Sequence, residues 1–326
     1  MPDLLKIPAA RDWIDHIIKN HSTKAFGELK TAVIWTDAKD KNGHLLVPID
    51  PINLVAQINT DPFILLNGHD PGKPIGKIIK SANFESRSGE KFIAAILGFY
   101  AGGKNLEFKE LDLDISKTIS PPAELPTLPN NICIDFATDP REVDPEWLEQ
   151  VTCNAPIHVR HSELSHNSAD VIQELIRVGL PYLVIVWNPF VKAIASEAGK
   201  DIYAALNKWV RQLLTKLAKR HDPILSIQSF QQNCQVSFLF RGKNIELLYV
   251  AHDSLSNAAV QAAQLINKLK ARDMPVRELI YEFDKEALKW YPSYAILNDD
   301  RIVTDSSKLI AIEQLSTELS LGITIN

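Results

Sequence analysis

Asn67-Gly68-His69-Asp70-Pro71-Gly72-Lys73-Pro74-Ile75-Gly76-Lys77 follows the apolar run Phe63 to Leu66 and leads into a second run at Ile75–Ile79. Asn-Gly and Pro-Gly are turn dipeptides, so the stretch reads as strand, polar loop, strand, with a histidine and a carboxylate side by side on the loop. Outward from it, Thr31–Thr36 is rich in β-formers and Asp37–Gly43 is a polar turn. Leu45–Val47 reads as a short strand, and Asp50-Pro51 opens a short helix through Ile58. Lys91–Tyr100 and Leu111–Ile119 read as further strands. Upstream, residues 3–30 read as helical, with Trp13, Ile14, Ile17 and Ile18 at helical spacing. The expectation is a compact, strand-rich domain over 1–125 with few long helices.

Proline crowds the next segment, at 121, 122, 126, 129, 140 and 145. Proline gives no N–H to a ladder, so 126–150 reads as a linker. Residues 151–326 read as an α+β domain. The reading gives a helix over Ala169–Val178, a buried strand over Tyr182–Trp187, then Asn188-Pro189 as the start of a long amphipathic helix. That helix carries Val191, Ile194, Ile202, Leu206, Trp209, Leu213 and Leu217 on one face. An antiparallel meander follows: Ile224–Phe230, the period-two run Cys234–Phe240, and Ile245–Val250 after the Arg241–Asn244 turn. Asp253 or Ser254 then caps a helix to about Lys270. Val276–Phe283 and Tyr294–Thr304 are strands, the second broken by Asn298-Asp299-Asp300, and a last helix covers about 306–319. The fold class expected for the whole chain is α+β.

The segment His69-Asp70 followed by Pro74-Ile75-Gly76 resembles the histidine segment of phage prohead (capsid maturation) proteases, serine peptidases with a herpesvirus-protease-like barrel. Gly43-His44-Leu45-Leu46-Val47-Pro48-Ile49 resembles the strand that precedes it in that family. Asp114-Ile115-Ser116, with Pro121-Pro122-Ala123 after it, is similar to the end of the family's barrel. The resemblance covers about residues 31–125 and implies His69 as base and Asp114 as the carboxylate that orients it. The family's nucleophile lies in a Ser-[IV]-Gly-Phe strand. Here the only Gly-Phe pair between His69 and Asp114 is Gly98-Phe99, which places Ile96 where the serine belongs. Isoleucine offers neither a proton nor a nucleophilic lone pair. Ser116 or Ser120 could substitute only from another strand, and Pro121 gives no N–H for an oxyanion hole.

Elsewhere, Cys153, His158, His161, Glu163 and His166 are metal-ligand types in a short stretch, without a familiar zinc spacing; on a strand His158 and His161 point to opposite faces. His252-Asp253-Ser254 are too close in sequence to form a triad; His252 could line a pocket. Cys234 alternates with Val236 and Phe238 as a core residue, or pairs with His252 as a thiol nucleophile. The basic positions of 200–220 read as a solvated face, and Trp290-Tyr291-Pro292-Ser293-Tyr294 as core or contact surface. There is no phosphate loop or dinucleotide fingerprint, so no cofactor is expected, and no metal.

The chain has 326 residues, 45% hydrophobic and 23% charged, with net charge −5, the profile of a folded two-domain protein rather than a nucleic-acid binder. Met1-Pro2-Asp3-Leu4-Leu5-Lys6 shows no secretory pattern and no apolar run reaches the ~20 residues of a membrane span. Three widely spaced cysteines fit a reducing cytoplasm. The function expected is a non-catalytic protein- or peptide-binding or assembly module on a degenerate barrel. Its partner would be a protein or peptide, or a second copy in a homodimer. The alternative is an active serine endopeptidase using His69, Ser116 and Asp114.

Overall fold

A computed structural model describes residues 4–21, 25–111, 131–164, 174–186 and 201–311. The chain divides into two compact units: Met1–Asn105 with Asn167–Asp170 and Ser306–Asn326, and Leu106–His166 with Val171–Asp305. It is α+β, as its sequence indicates.

The first unit is an antiparallel sheet in the order β1 (Glu28–Thr36), β4 (Lys91–Phe99), β3 (Pro74–Glu85), β2 (Ile64–Leu66). The described strands form this open sheet and do not close a barrel. Both of its faces are covered. Helix α2 (Pro51–Thr60) puts Leu54 and Ile58 against Ile75, Ile93 and Phe99. Helix α1 (Pro8–Asn20) and the turn before it put Ala10 and Leu4 against Phe92 and Ala94, with Trp13 edge-on to Phe84 at 5.6 Å. This explains why β4 reads as an unbroken apolar run: alternate residues serve opposite cores. Helix α2 starts where the sequence says it should, with Pro51 in the first turn and the Asp50 carboxylate accepting the Ile52 and Asn53 N–H groups. Leu45 makes one isolated bridge to Lys39 rather than a strand.

The second unit is an eight-stranded mixed sheet, ordered β12-β11-β10-β9-β8-β7-β5-β6. Its strands are β5 (Ile134–Thr138), β6 (Val159–Glu163), β7 (Glu174–Gly179), β8 (Pro223–Gln231), β9 (Cys234–Arg241), β10 (Val276–Asp284), β11 (Lys289–Leu297) and β12 (Ile302–Thr304). Three neighbouring pairs are parallel, and each is joined by helix. Helix α3 (Pro145–Thr152) links β5 to β6; α4 (Tyr182–Val186) and α5 (Asp201–Leu217) lie between β7 and β8; α6 (Ile245–Lys270) links β9 to β10. Alternate strand residues, among them Phe136, Val178, Ile227, Phe238 and Leu279, share one core with Val151, Val184, Leu213 and Ala259 of these helices.

Four expectations fail here. The proline-rich span 126–150 contains β5 and α3: Pro145 opens a helix behind the Asp144 cap, so this proline starts structure instead of interrupting it. Residues 174–179 are a strand, not the end of a helix, with Ile176 and Val178 alternating into the core. Residues 182–186 are helical, not a strand. The meander is broken because Ile245–Val250 begins α6. Asn244 is its N-cap, accepting the Glu246 and Leu247 N–H groups, and Asp253 and Ser254 lie inside the helix, where Asp253 pairs with Arg211 at 2.5 Å. The strand expected over 111–119 lies outside the described residues beyond Leu111, as does the helix expected over 306–319 beyond residue 311; within its described part, Ser306–Lys308 is a short 3-10 turn.

Candidate functional site

Strands β2 and β3 pair with Ile64 opposite Lys77 and Leu66 opposite Pro74, which leaves 67–73 as the connecting loop. The Asn67 N–H donates to the Lys73 carbonyl at 2.9 Å and closes it. Asp70 organises the interior. It is 1% exposed, its carboxylate accepts the Gly72 N–H at 2.8 Å, and it pairs with Lys73 at 3.3 Å. Gly68 and His69 both take left-handed backbone, with φ of 59° and 58°. Such a conformation is unusual for a side chain as large as imidazole and places half-buried His69 at the tip of a tight turn. Asp70 therefore serves the loop's own backbone and its lysine.

Ile96 is fully buried in β4, paired to Thr31 on one side and Lys80 on the other. A core isoleucine thus stands at the position where the prohead-protease resemblance puts the nucleophile. Asp114, Ser116 and Ser120 lie outside the described residues. Ser81, a buried serine on β3, is seven residues beyond Pro74, about 23 Å along a strand, and α2 covers it: Asn59 bonds both its N–H and its carbonyl at 3.0 Å.

In the second unit Cys153 sits exposed at the end of α3, with Asn154 donating to its sulfur at 3.3 Å. His161 lies on β6 with its ring 6.3 Å from that of Phe136, and His158 precedes the strand. His166 lies outside the described residues. Among those described, no three His, Cys, Asp or Glu side chains gather as metal ligands do. His252 is buried in α6 and, with Asn207, Leu206 and Leu255, lines a cavity of about 10 Å³, which is about one water. Cys234 donates to the Gln235 carbonyl, not to a histidine, and burial pushes its thiol up to about 12. Alkylation of the folded protein with iodoacetamide is therefore expected at Cys153 and not at Cys234, which should react only on unfolding; peptide mapping reads this, and native modification of Cys234 would mean an open core.

One group escapes sequence reasoning altogether. Arg177 on β7 is a half-buried arginine without a hydrogen bond or ion pair among the described residues. Its signal is the alternation Ile176-Arg177-Val178, which appears only once the segment is known to be a strand. Comparison with family models, with curated proteins and with solved structures finds no match to this chain.

Proposed function

We propose that the N-terminal unit binds a protein or peptide segment without cutting it, on a scaffold related to the prohead-protease barrel. The observation that carries this reading is Ile96: fully buried and strand-paired on both sides, it cannot act as a nucleophile or be replaced from solvent. His69 in turn rides a loop whose carboxylate, Asp70, accepts the Gly72 N–H and pairs with Lys73. A binding surface is at hand. Among the described residues strand β2 is the last strand of its sheet, and Phe63, beside it, is 40% exposed. An extended segment adding to that edge would gain main-chain hydrogen bonds from β2 and apolar contact from Phe63.

The decisive experiment is activity-based labelling of the full chain with a fluorophosphonate probe. No serine is expected to label. Labelling that disappears in His69→Ala would instead establish a working serine–histidine pair and overturn the binding reading.

A further inference from the structure

The chain contains two Asn-Gly dipeptides, Asn42-Gly43 and Asn67-Gly68, and the structure sets them apart. Such a pair carries a reaction of its own. With no side chain on the glycine, its main-chain nitrogen can close on the carboxamide of the asparagine before it. Whether it does so depends on how the folded chain holds those two groups. At Asn42-Gly43 a single residue, Asp40, holds the loop. Its carbonyl accepts the Gly43 N–H at 3.1 Å, and its carboxylate accepts the Asn42 N–H at 2.8 Å and the His44 N–H at 2.9 Å.

Asn67-Gly68 is held differently. The Asn67 N–H donates to the Lys73 carbonyl at 2.9 Å, and the Asn67 carbonyl accepts the Asp70 N–H at 3.2 Å, so the main chain of Asn67 is fixed on both sides. Between these contacts, the Gly68 N–H and the Asn67 carboxamide make no hydrogen bond among the described residues. Both residues are partly exposed, so water reaches them. Nucleophile and electrophile are thus adjacent, unengaged and wet, in a turn that Gly68 and His69 keep in left-handed backbone.

We propose that Asn67 is a site of spontaneous deamidation in the folded protein, and that Asn42 is protected from it. The Gly68 nitrogen gives its proton to hydroxide and bonds to the Asn67 Cγ. The carboxamide C–N bond breaks, and its nitrogen leaves as ammonia with a proton taken from water. Water then opens the resulting succinimide at either carbonyl carbon. One product is aspartate; the other is isoaspartate, whose main chain runs through the former side-chain carbon. Water is the only co-reactant. Either product puts a new carboxylate into the loop that Asp70 and Lys73 share. Isoaspartate also adds a carbon between the N–H and the carbonyl that close that loop. The loop after β2 would then change with the age of the protein, whether the N-terminal unit binds a segment or cuts one.

The test incubates the full chain at mildly alkaline pH, folded and, in parallel, in concentrated urea. Cleavage before Asp40, Asp50, Asp61 and Asp70 then puts Asn42 and Asn67 in separate fragments, 40–49 and 61–69. Each is followed by the mass change from amide to acid and by labelling with an isoaspartyl methyltransferase, with cleavage at a newly formed aspartate counted as conversion. In the folded chain 61–69 is expected to convert at least about fivefold faster than 40–49, the factor for first freeing the Gly43 N–H from its hydrogen bond. In urea the two rates should converge. Asn67→Gln, whose longer side chain closes the ring far less readily, should abolish conversion of 61–69 and leave that of 40–49 unchanged. The proposal is overturned if 40–49 converts as fast as 61–69 in the folded chain or faster, if 61–69 stays intact when folded while it converts in urea, or if its isoaspartyl label persists in Asn67→Gln.

Discussion

Gly76→Val is expected to destabilise the N-terminal unit by about 3 kcal/mol, the range for forcing volume into a closed site. The cause is space and not backbone conformation. A Cβ at Gly76 would lie 2.2 Å from the Gly98 carbonyl oxygen on the neighbouring strand, and a backbone oxygen cannot swing aside as a flexible side chain can. Gly98 has no room to retreat, because its own Cβ position is 2.6 Å from the Phe26 ring, which in turn stacks on Tyr100 at 5.4 Å. One added side chain would therefore push β3 from β4 and disturb the aromatic pair behind it. Gly89→Ala is the control. Gly89 has φ +85° and nothing within 4 Å, so that change carries only conformational strain, of about 1 kcal/mol. Urea unfolding of both variants reads the contrast. A Gly76→Val midpoint no lower than that of Gly89→Ala would show that the strands part easily and that the close approach is not a constraint.

Trp290→Ala should be the most damaging single truncation in the second unit, about 3–5 kcal/mol. The indole packs its edges and faces against Phe240, Phe283 and Phe238 at centroid distances of 5.1, 5.4 and 5.7 Å. Its N–H donates to the Ala251 carbonyl of α6 at 2.9 Å, which ties sheet to helix. Trp290→Phe would keep most of the apolar contact and lose the hydrogen bond, so a cost of about 1 kcal/mol separates the two contributions. The measurement is again the denaturant midpoint, followed by far-ultraviolet circular dichroism. Equal losses in the two variants would assign the effect to the hydrogen bond alone and remove the aromatic cluster from the account.

The elements that the sequence shows clearly are those with a local signature. Asp50-Pro51 announces α2, period-two Cys234–Phe240 announces β9, and Asn298-Asp299-Asp300 separates β11 from β12. The elements that mislead are those whose local pattern serves two outcomes. Ile245-Glu246-Leu247-Leu248-Tyr249-Val250 after a Gly-containing turn looks like the return strand of a hairpin. The same run, capped by Asn244, supplies the first buried turn of a 26-residue helix, and nothing in six residues decides between them. Glu174–Gly179 is strand because β5 and β8 flank it, a pairing that residues far away supply. That error hid the setting of Arg177. On a helix Arg177 would be a solvated surface charge; between two strands it faces Ser226. His69 and Asp70 were legible as a loop pair, but the carboxylate's engagement with Gly72 and Lys73 depends on how the loop closes.

The second unit enters and leaves its sheet at one place. Leu106 pairs with Val303, its N–H donating to the Ile302 carbonyl and its carbonyl accepting from Thr304. After that exit the chain returns to the first unit, where Ile310 packs against the core of Ile34, Leu54 and Ile93. The two units are thus nested in the order of synthesis. The inner one has all of its strands once Thr304 has emerged, whereas the outer one, although begun first, waits for a residue made after the whole of its guest. A nascent chain would then carry an outer core open at the Ile310 position until that residue has been made, and the Leu106–Val303 bridge can close only once the last strand of the inner sheet has emerged.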